Sequence, residues 1–271
     1  MKDINETRNR INGLDQKIAS LLNERFLLLD DVLEHKISNK EYIENPSRER
    51  EVLDKILQST NAYNPFLKEI YRSIMDASKC YQWNRLFKGN IYIIGFMAVG
   101  KTTLGKKFSK KIQWEFIDTD LWIEEMEKRK ITEIFAKEGE DYFRELEKKV
   151  IKTIDEQWKA NKIKRIVACG GGVTLTPDNI VTMKNNGIIV HLEGDINTIC
   201  QRISLDQSRP LVSESKNLKQ RVEKLLEERR DVYKEVADIT LYTEDESPDK
   251  LVEKLMLKLE DYEQERSLTE E

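Results

Sequence analysis

A phosphate-binding loop is the clearest chemical motif in this chain of 271 residues. The segment from Gly95 to Thr103 reads G-x-x-x-x-G-K-T-T and follows the short apolar run Ile91–Ile94. Glycines in this pattern let the backbone wrap around phosphates, and amide groups at the start of the next helix bind them. Lys101 would reach the β- and γ-phosphates, and the Thr102 hydroxyl would bind Mg²⁺. The loop therefore predicts a nucleotide site between a strand and a helix.

Two acids and a glycine triplet follow the loop along the chain. Glu115–Asp120 reads as a second strand that ends in Asp118 and Asp120, which point in different directions and can serve different partners. Asp118 is a candidate for the magnesium shell and Asp120 for an acceptor hydroxyl, although either acid is also a candidate helix N-cap. A third strand, Ile166–Cys169, precedes Gly170–Gly172, which form either a close approach for a ligand or a plain turn.

Arginines downstream offer contacts to anions. Arg144 lies in a helical segment, where it is either a ligand contact or an ordinary surface residue. Arg202 and Arg209 lie in a polar stretch suited to a mobile lid, and a lid arginine can stabilise charge on a transferring phosphoryl group. Arg229 lies one helical turn before Tyr233.

Residues 90–258 resemble shikimate kinases, because each of these segments has a counterpart there in the same order. The resemblance implies ATP-dependent phosphorylation of the shikimate 3-hydroxyl, with Lys101, Asp120 and Arg209 as catalytic residues. It implies that shikimate is bound by Asp120, Arg144, Gly170, Gly171, Gly172 and Arg229. It implies that ATP is bound by Gly95, Ala98, Val99, Gly100, Lys101, Thr102, Thr103, Arg202 and Arg209, and Mg²⁺ by Thr102 and Asp118. The bulkier Phe96–Val99 and the replacement of a common proline by Asp231 remove no reacting group.

The first 87 residues have a different character, with one glycine and no strand-like run. Apolar residues recur at steps of three, four and seven from Ile4 to Val32, which predicts one helix over roughly 4–37. Shorter helices are predicted near Ser47–Thr60 and Pro65–Trp83. A helix of this length is about 50 Å long, whereas a compact domain of this size is about 30 Å across. We therefore expect the long helix to pack against a second copy in an intertwined dimer.

Three cations, Arg8, Arg25 and Lys36, interrupt the apolar stripe of the long helix. A buried cation needs a partner, so their stems extend to solvent, pair with acids or face an anionic ligand. Arg25 and Lys36 are about 16 Å apart along the helix and can converge on a small dianion. Arg8 is about 25 Å from Arg25, so only a symmetric partner chain can bring it to the same ligand. Ser78 and Gln82 share one face of the third helix and offer neutral hydrogen-bonding groups.

Residues 4–83 resemble the all-helical chorismate mutases. The matching segments are Arg8–Asp15, Leu21–Arg25, Lys36, Pro46–Glu51 and Ser78–Gln82. The resemblance implies rearrangement of chorismate to prephenate without a cofactor, with Arg25, Lys36 and Gln82 as catalytic residues. It implies that chorismate is bound by Arg8 of the other subunit together with Arg25, Lys36, Arg48, Glu49, Ser78 and Gln82. Asn45 stands where the family often has aspartate, which we expect to tune the activity.

Composition excludes several other classes. Lys and Arg total 46 against 50 acids, for a net charge of −4, which disfavours a protein that coats nucleic acid. Apolar runs are too short to span a bilayer, and the N-terminus lacks the apolar segment of a secretory signal. Three widely spaced cysteines match neither a disulfide framework nor a zinc site. We expect a cytoplasmic protein without membrane or nucleic-acid partners.

The sequence thus predicts an all-α domain over 1–87 and an α/β phosphate-loop kinase domain with a parallel sheet over 90–271. Residues 260–271 are predicted to form a charged, frayed tail. The predicted function is a bifunctional enzyme of aromatic amino-acid biosynthesis. One alternative is a kinase whose helical domain only senses chorismate or prephenate, or only dimerises. Another is a related kinase for gluconate or a nucleoside monophosphate.

Overall fold

The computed structural model describes residues 3–58, 64–205, 218–243 and 246–269. The chain forms two compact units. The first holds residues 1–87 together with 263–271, and the second holds residues 88–262. Within the described ranges no helix has the length and apolar character that crossing a membrane requires.

The described part of residues 1–87 forms α1 (Ile4–Ser38), α2 (Pro46–Gln58) and α3 (Asn64–Leu86). Helix α1 begins where the Asp3 side chain accepts a hydrogen bond from the Asn5 amide at 2.9 Å, which satisfies one free amide of the first turn. Its C-terminal half packs against α3, and Leu29 and Leu33 are the buried residues of this helix.

The N-terminal part of α1 is exposed in the single chain. The apolar stripe that defines its predicted buried face is at least half exposed at Ile4, Ile11, Leu14, Ile18, Leu21 and Leu28. An exposed apolar stripe is the kind of surface at which interaction partners bind. Arg8 lies on this exposed part of the helix, whereas Arg25 and Lys36 are half-buried.

The second unit is built on a five-stranded parallel sheet. The strands are β1 (Asn90–Ile94), β2 (Glu115–Asp118), β3 (Arg165–Ala168), β4 (Gly187–Gly194) and β5 (Ile239–Thr243), in the order β2-β3-β1-β4-β5. β1 and β3 are buried at every residue, because helices cover both faces of a parallel sheet and favour continuous apolar runs. The predicted fold class, a helical region followed by an α/β unit with a parallel sheet, is confirmed.

Seven helices of the second unit lie within the described residues, with a short 3-10 helix at Val173–Leu175. They are α4 (Lys101–Ile112), α5 (Thr119–Glu127), α6 (Ile131–Asn161), α7 (Pro177–Asn185), α8 (Ile196–Leu205), α9 (Leu218–Val236) and α10 (Pro248–Thr269). β1 lies between β3 and β4, so the chain order reverses there. In such sheets ligands bind beyond the carboxyl ends of the strands at this reversal, which is where the phosphate loop and the glycine triplet begin.

The prediction that the chain frays from residue 260 onward is wrong. Helix α10 continues to Thr269, and Glu260, Glu263 and Gln264 are buried. These residues continue the spacing of the apolar face that ends at Leu259, but they are polar, so a search for apolar periodicity stops too early. Residues 263–271, which the prediction placed in the second domain, group with the first unit.

We predict that Gly187→Ala destabilises the second unit. Gly187 pairs with Asn90 across β1 and β4, and a β-carbon at Gly187 would overlap the Asn90 carbonyl oxygen. Backbone has to shift to make room, so the free energy of unfolding should fall by about 1–3 kcal/mol. Urea unfolding followed by circular dichroism measures the change. In the matched control Gly13→Ala, the β-carbon meets no atom within 4 Å on an exposed helix, and stability should rise slightly. Equal urea midpoints for Gly187→Ala and the parent would contradict the packing argument.

Candidate functional site

The phosphate loop connects β1 to α4 in a conformation that needs its glycines. Gly95 and Gly100 have φ angles of 139° and 114°, and a β-carbon at Gly95 would overlap the Leu192 carbonyl oxygen. Ala98 also adopts a positive φ of 59°, a conformation that costs energy for a residue with a β-carbon. The Lys101 ammonium donates hydrogen bonds to the carbonyl oxygens of Gly95 at 2.8 Å and Phe96 at 2.9 Å. These bonds hold the cation against the loop.

Asp118 links the loop to the start of the next helix. One of its carboxylate oxygens accepts a 2.6 Å hydrogen bond from the Thr102 hydroxyl. The other oxygen accepts bonds from the amides of Asp120 and Leu121 at 3.1 and 3.3 Å, and so caps α5. The two roles considered for Asp118, helix cap and partner of the magnesium shell, are therefore compatible. Hydroxyl and carboxylate oxygens are the ligands that Mg²⁺ prefers.

A cavity of about 590 Å³ lies beside the loop. Its walls include the loop from Ala98 to Thr103, Asp118, Asp120, Gly171, Arg202, Pro248 and Leu251. The Arg202 guanidinium donates hydrogen bonds to the carbonyl oxygens of Ala98 and Val99 at 3.2 and 2.8 Å. Arg202 therefore lies on helix α8 and braces the loop. Arg209, the other predicted lid arginine, lies outside the described residues.

The glycine triplet after β3 forms a floor that several predicted side chains contact. A β-carbon at Gly170 would lie 2.5 Å from a carboxylate oxygen of Asp120, and one at Gly172 would overlap the Arg144 guanidinium. The Gly171 carbonyl oxygen accepts a 3.1 Å hydrogen bond from Arg229. The structure therefore brings Asp120, Arg144 and Arg229 around the triplet, where a side chain at Gly170 or Gly172 would displace Asp120 or Arg144.

Glu147 is a charged residue of this site that the sequence analysis missed. It lies one turn after Arg144 on α6, is fully buried, and accepts a 2.9 Å ion-paired bond from Arg144. Burial raises its pKa to about 7, and the nearby Asp120 charge adds to the rise while Arg144 lowers it. Its second oxygen has no hydrogen-bond partner among the described residues. The signal was present in the spacing of three between Arg144 and Glu147, which places an acid beside a site arginine.

Three further residues support the glycine floor. The Thr119 hydroxyl accepts a 2.9 Å bond from the Gly170 amide, and the Tyr233 hydroxyl donates a 2.5 Å bond to the Gly171 carbonyl. The His191 ring stacks on Tyr233 with 5.1 Å between the centroids. Burial lowers the pKa of His191 to about 4, so this ring packs as a neutral group at neutral pH. Sequence spacing pairs Arg229 with Tyr233, but only the fold brings His191 to them.

A second cavity, of about 620 Å³, lies within the first unit. Residues from all three helices line it, including Arg25, Lys36, Asn45, Arg48, Glu49, Ser78 and Gln82. Every predicted chorismate contact except Arg8 therefore faces one cavity. Arg8 is on the exposed end of α1, about 25 Å from Arg25 along the helix.

Neutral groups hold the two half-buried cations of α1. The Lys36 ammonium donates a 2.6 Å hydrogen bond to the Ile43 carbonyl oxygen, and Arg25 donates one to the Ser78 hydroxyl. Gln82 is buried, and its amide nitrogen donates to the Ser78 carbonyl at 3.2 Å, whereas its oxygen is buried without a partner among the described residues. Both side chains line the cavity and give its wall positive charge that suits an anionic ligand.

The other side of this cavity is arranged by Asn45 and by a lysine that the sequence analysis missed. The Asn45 side chain accepts a 3.0 Å bond from the Arg48 amide, the capping role that aspartate would also fill. Lys79 lies 3.2 Å from Glu49 and 2.9 Å from Asp76. Burial lowers the pKa of Lys79, but hydrogen bonds to Asp76 and Glu49 outweigh it and raise the pKa above its ordinary value. Lys79 directly follows the predicted site residue Ser78. In the sequence, however, nothing distinguishes it from an ordinary surface lysine.

We predict that Glu147→Gln changes how stability depends on pH. Between pH 4.5 and about 7 the unfolded chain has lost the Glu147 proton and the folded chain retains it, so stability falls as the pH rises through this window. The Glu147→Gln variant lacks this contribution, so the parent should lose unfolding free energy relative to the variant across the same window. Urea unfolding at a series of pH values measures it, with exposed Glu145→Gln as the control. A difference between parent and variant that is independent of pH would contradict the raised pKa.

Comparison with known proteins places both units in families. The model of the shikimate kinase family matches residues 97–260, and that of chorismate mutase type II matches residues 7–83. A shikimate kinase from a Sulfurihydrogenibium species is 41% identical over 173 residues, which cover 63% of this chain and 97% of that protein. One from Caldanaerobacter subterraneus is 39% identical over 168 residues, covering 62% and 94%.

Solved structures agree with the shikimate kinase match. Shikimate kinase from Acinetobacter baumannii, in complex with shikimate, has a TM-score of 0.58 at 33% identity and covers 64% of this chain and 94% of its own. Shikimate kinase from Aquifex aeolicus has a TM-score of 0.54 at 32% identity, covering 63% and 96%. The predicted resemblance to both families is confirmed. The chain belongs to the shikimate kinase family, and a chorismate mutase type II domain precedes its kinase domain.

Proposed function

We propose that this chain is a bifunctional enzyme of the shikimate pathway, which transfers a phosphoryl group from ATP to the shikimate 3-hydroxyl and rearranges chorismate to prephenate. The observation that supports the kinase activity is that the phosphate loop and Asp120 lie beside the glycine triplet, which Arg144 and Arg229 also contact. The observation that supports the mutase activity is the cavity of the first unit, where Arg25, Lys36 and Arg48 share one lining with Ser78 and Gln82.

The residues beside the phosphate loop fit ATP and Mg²⁺. Gly95 and Gly100 adopt the positive φ angles that curve the loop, and the Thr102 hydroxyl and Asp118 carboxylate offer oxygen ligands. The loop amides and Lys101 would hold the phosphates, and Thr102 with Asp118 would hold the metal ion. When bound, Mg²⁺ neutralises phosphate charge and ATP supplies the phosphoryl group. Lys101, joined by Arg209, would stabilise the charge that develops during transfer.

The acceptor side of the site is supplied by residues around the glycine triplet. Arg144 and Arg229 would bind the shikimate carboxylate, since a guanidinium matches a carboxylate in two hydrogen bonds. A carboxylate oxygen of Asp120 would accept the hydrogen bond of the reacting hydroxyl and orient it, and could take its proton. The backbone of Gly170, Gly171 and Gly172 would let the ring approach closely.

The mutase reaction requires a different kind of site from the kinase reaction. It is a rearrangement within one molecule, so the pocket has to hold a compact conformer and place positive charge near the breaking C–O bond. We propose that Arg25 binds a carboxylate of chorismate and that Lys36 and Gln82 contact the ether oxygen. Arg48, Glu49 and Ser78 would bind the remaining polar groups, and Arg8 would enter from a partner chain.

The first experiment follows chorismate consumption and prephenate formation by the full chain in the absence of ATP. Turnover supports two enzymes in one chain. Binding of chorismate without turnover, together with an effect on shikimate phosphorylation, would instead make the helical domain a sensor. A parallel kinase assay compares shikimate with gluconate and a nucleoside monophosphate, and preference for either of the latter would contradict the proposed acceptor.

We predict that single substitutions separate the two activities. Arg25→Ala should lower mutase kcat/KM by about 10²-fold or more and leave kinase activity unchanged, because it removes one charge-assisted contact from one pocket. Lys101→Ala should do the reverse. Steady-state assays of both reactions on each variant measure this, with exposed Arg10→Ala and Lys110→Ala as controls. Loss of both activities in either variant would contradict two independent sites.

We also propose that the chain is a homodimer joined through α1. The exposed apolar stripe supports a second copy as its partner, and the distance of Arg8 from the cavity requires one if Arg8 binds chorismate. The stripe therefore has both a packing role and a catalytic one.

We predict that the double variant Leu14→Glu, Ile18→Glu is monomeric and has lost mutase activity while keeping kinase activity. Charge on the apolar stripe opposes its burial against another chain. Light scattering gives the mass of the parent and the variant. The control Gln16→Glu, Ser20→Glu adds the same charge to the other face of α1 and should remain dimeric. A parent that is monomeric and fully active as a mutase would overturn the dimer proposal.

A further inference from the structure

The last turns of α10 contribute a buried polar side chain to the first unit. Gln264 is only 7% exposed, and its amide nitrogen donates a 3.1 Å hydrogen bond to the Glu41 carbonyl oxygen. It lies outside both ranges that match family models, which end at residues 83 and 260. The role of Gln264 therefore has to be worked out from its contacts in this chain.

Gln264 contacts the loop between α1 and α2, which lines the mutase cavity. Glu41, Ile43 and Asn45 of this loop are all wall residues of that cavity. The Glu41 amide donates a 2.8 Å hydrogen bond to the Lys36 carbonyl, while its own carbonyl accepts the bond from Gln264. The peptide groups of Glu41 are thus tied to α1 on one side and to α10 on the other.

The same loop holds the Lys36 ammonium. Two residues after Glu41, the buried Ile43 presents the carbonyl oxygen that accepts the 2.6 Å bond from Lys36. Loops are held by few contacts, so the position of Ile43 depends on how firmly its neighbours are fixed. A bond that anchors Glu41 therefore also restrains the oxygen that positions the Lys36 side chain.

We propose that Gln264 is a positioning residue of the mutase site, acting on Lys36 through the loop that carries Glu41 and Ile43. This inference rests on the proposed mutase activity. Displacement of a catalytic group by a fraction of an ångström to about 1 Å costs rate even when the group itself is intact. Residues beyond the kinase family match thus complete a site at the opposite end of the chain.

The test replaces Gln264 by methionine, which keeps a side chain of similar length and removes the hydrogen-bond donor. The matched control is Glu265→Met, which makes the same kind of change at the exposed neighbour on the same turn. In the full chain, Gln264→Met should lower mutase kcat roughly three- to ten-fold, the usual worth of one hydrogen bond, with a smaller change in KM. Kinase kcat should stay unchanged in both variants.

A second background separates positioning from general loss of stability. In a Lys36→Gln chain, the target of the positioning is already removed, so adding Gln264→Met should cost no further mutase activity. An equal loss in both backgrounds would overturn the proposal, because the effect would then not pass through Lys36. An active parent whose mutase kcat is unaffected by Gln264→Met would overturn it as well.

Hydrogen exchange of the segment 39–45 provides a readout that needs no activity. Exchange should be faster in Gln264→Met than in the parent and unchanged in Glu265→Met, measured where both variants retain kinase activity. Equal exchange rates in the two variants would overturn the positioning role. A parent without mutase turnover contradicts the proposed function instead, and the exchange rates then still decide whether Gln264 orders the loop.

Discussion

A charged group taken out of water needs a partner, and the cavities of the two candidate sites are organised by that requirement. In the kinase unit, the Arg144 guanidinium is paired with Glu147 under the glycine floor, and Lys101 is held by two loop carbonyls. In the helical unit, Arg25 and Lys36 rest on a hydroxyl and a carbonyl. Cationic side chains therefore line each cavity. Anionic substrates are therefore the ligands that both cavities suit best.

The parallel sheet explains why the kinase residues meet although they are far apart in sequence. Segments following β1, β2 and β3 emerge at the same edge, so the phosphate loop, the Asp118–Asp120 acids and the glycine triplet converge there. Asp120 and Arg144 lie so close to the backbone of the triplet that glycine is favoured there. A side chain at Gly170 would collide with Asp120, and one at Gly172 would collide with Arg144. Residues from α6 and α9 complete the site from above the sheet edge.

The helical unit also forms a cavity lined by polar and charged side chains. Three helices enclose one cavity, but half of α1 has its apolar stripe in solvent, and Arg8 stays on that exposed part. The loop between α1 and α2 affects the position of the Lys36 side chain, because the Ile43 carbonyl oxygen in this loop accepts its hydrogen bond. Contact from Gln264 at the far end of the chain gives this loop a further anchor. Catalytic geometry here depends on a segment that belongs to neither family match.

Local pattern was enough to predict the phosphate loop, the parallel sheet, the long helix and the two family resemblances, because periodicity and glycine spacing act over a few residues. Tertiary structure alone decided which polar groups become buried partners. Glu147, Lys79 and Gln264 are ordinary charged or amide residues in the sequence. Only packing buries Glu147 and Gln264, half-buries Lys79 and gives each its specific partner. For the same reason the sequence suggested a frayed tail where α10 continues, since its last buried positions are polar and the apolar pattern ends at Leu259.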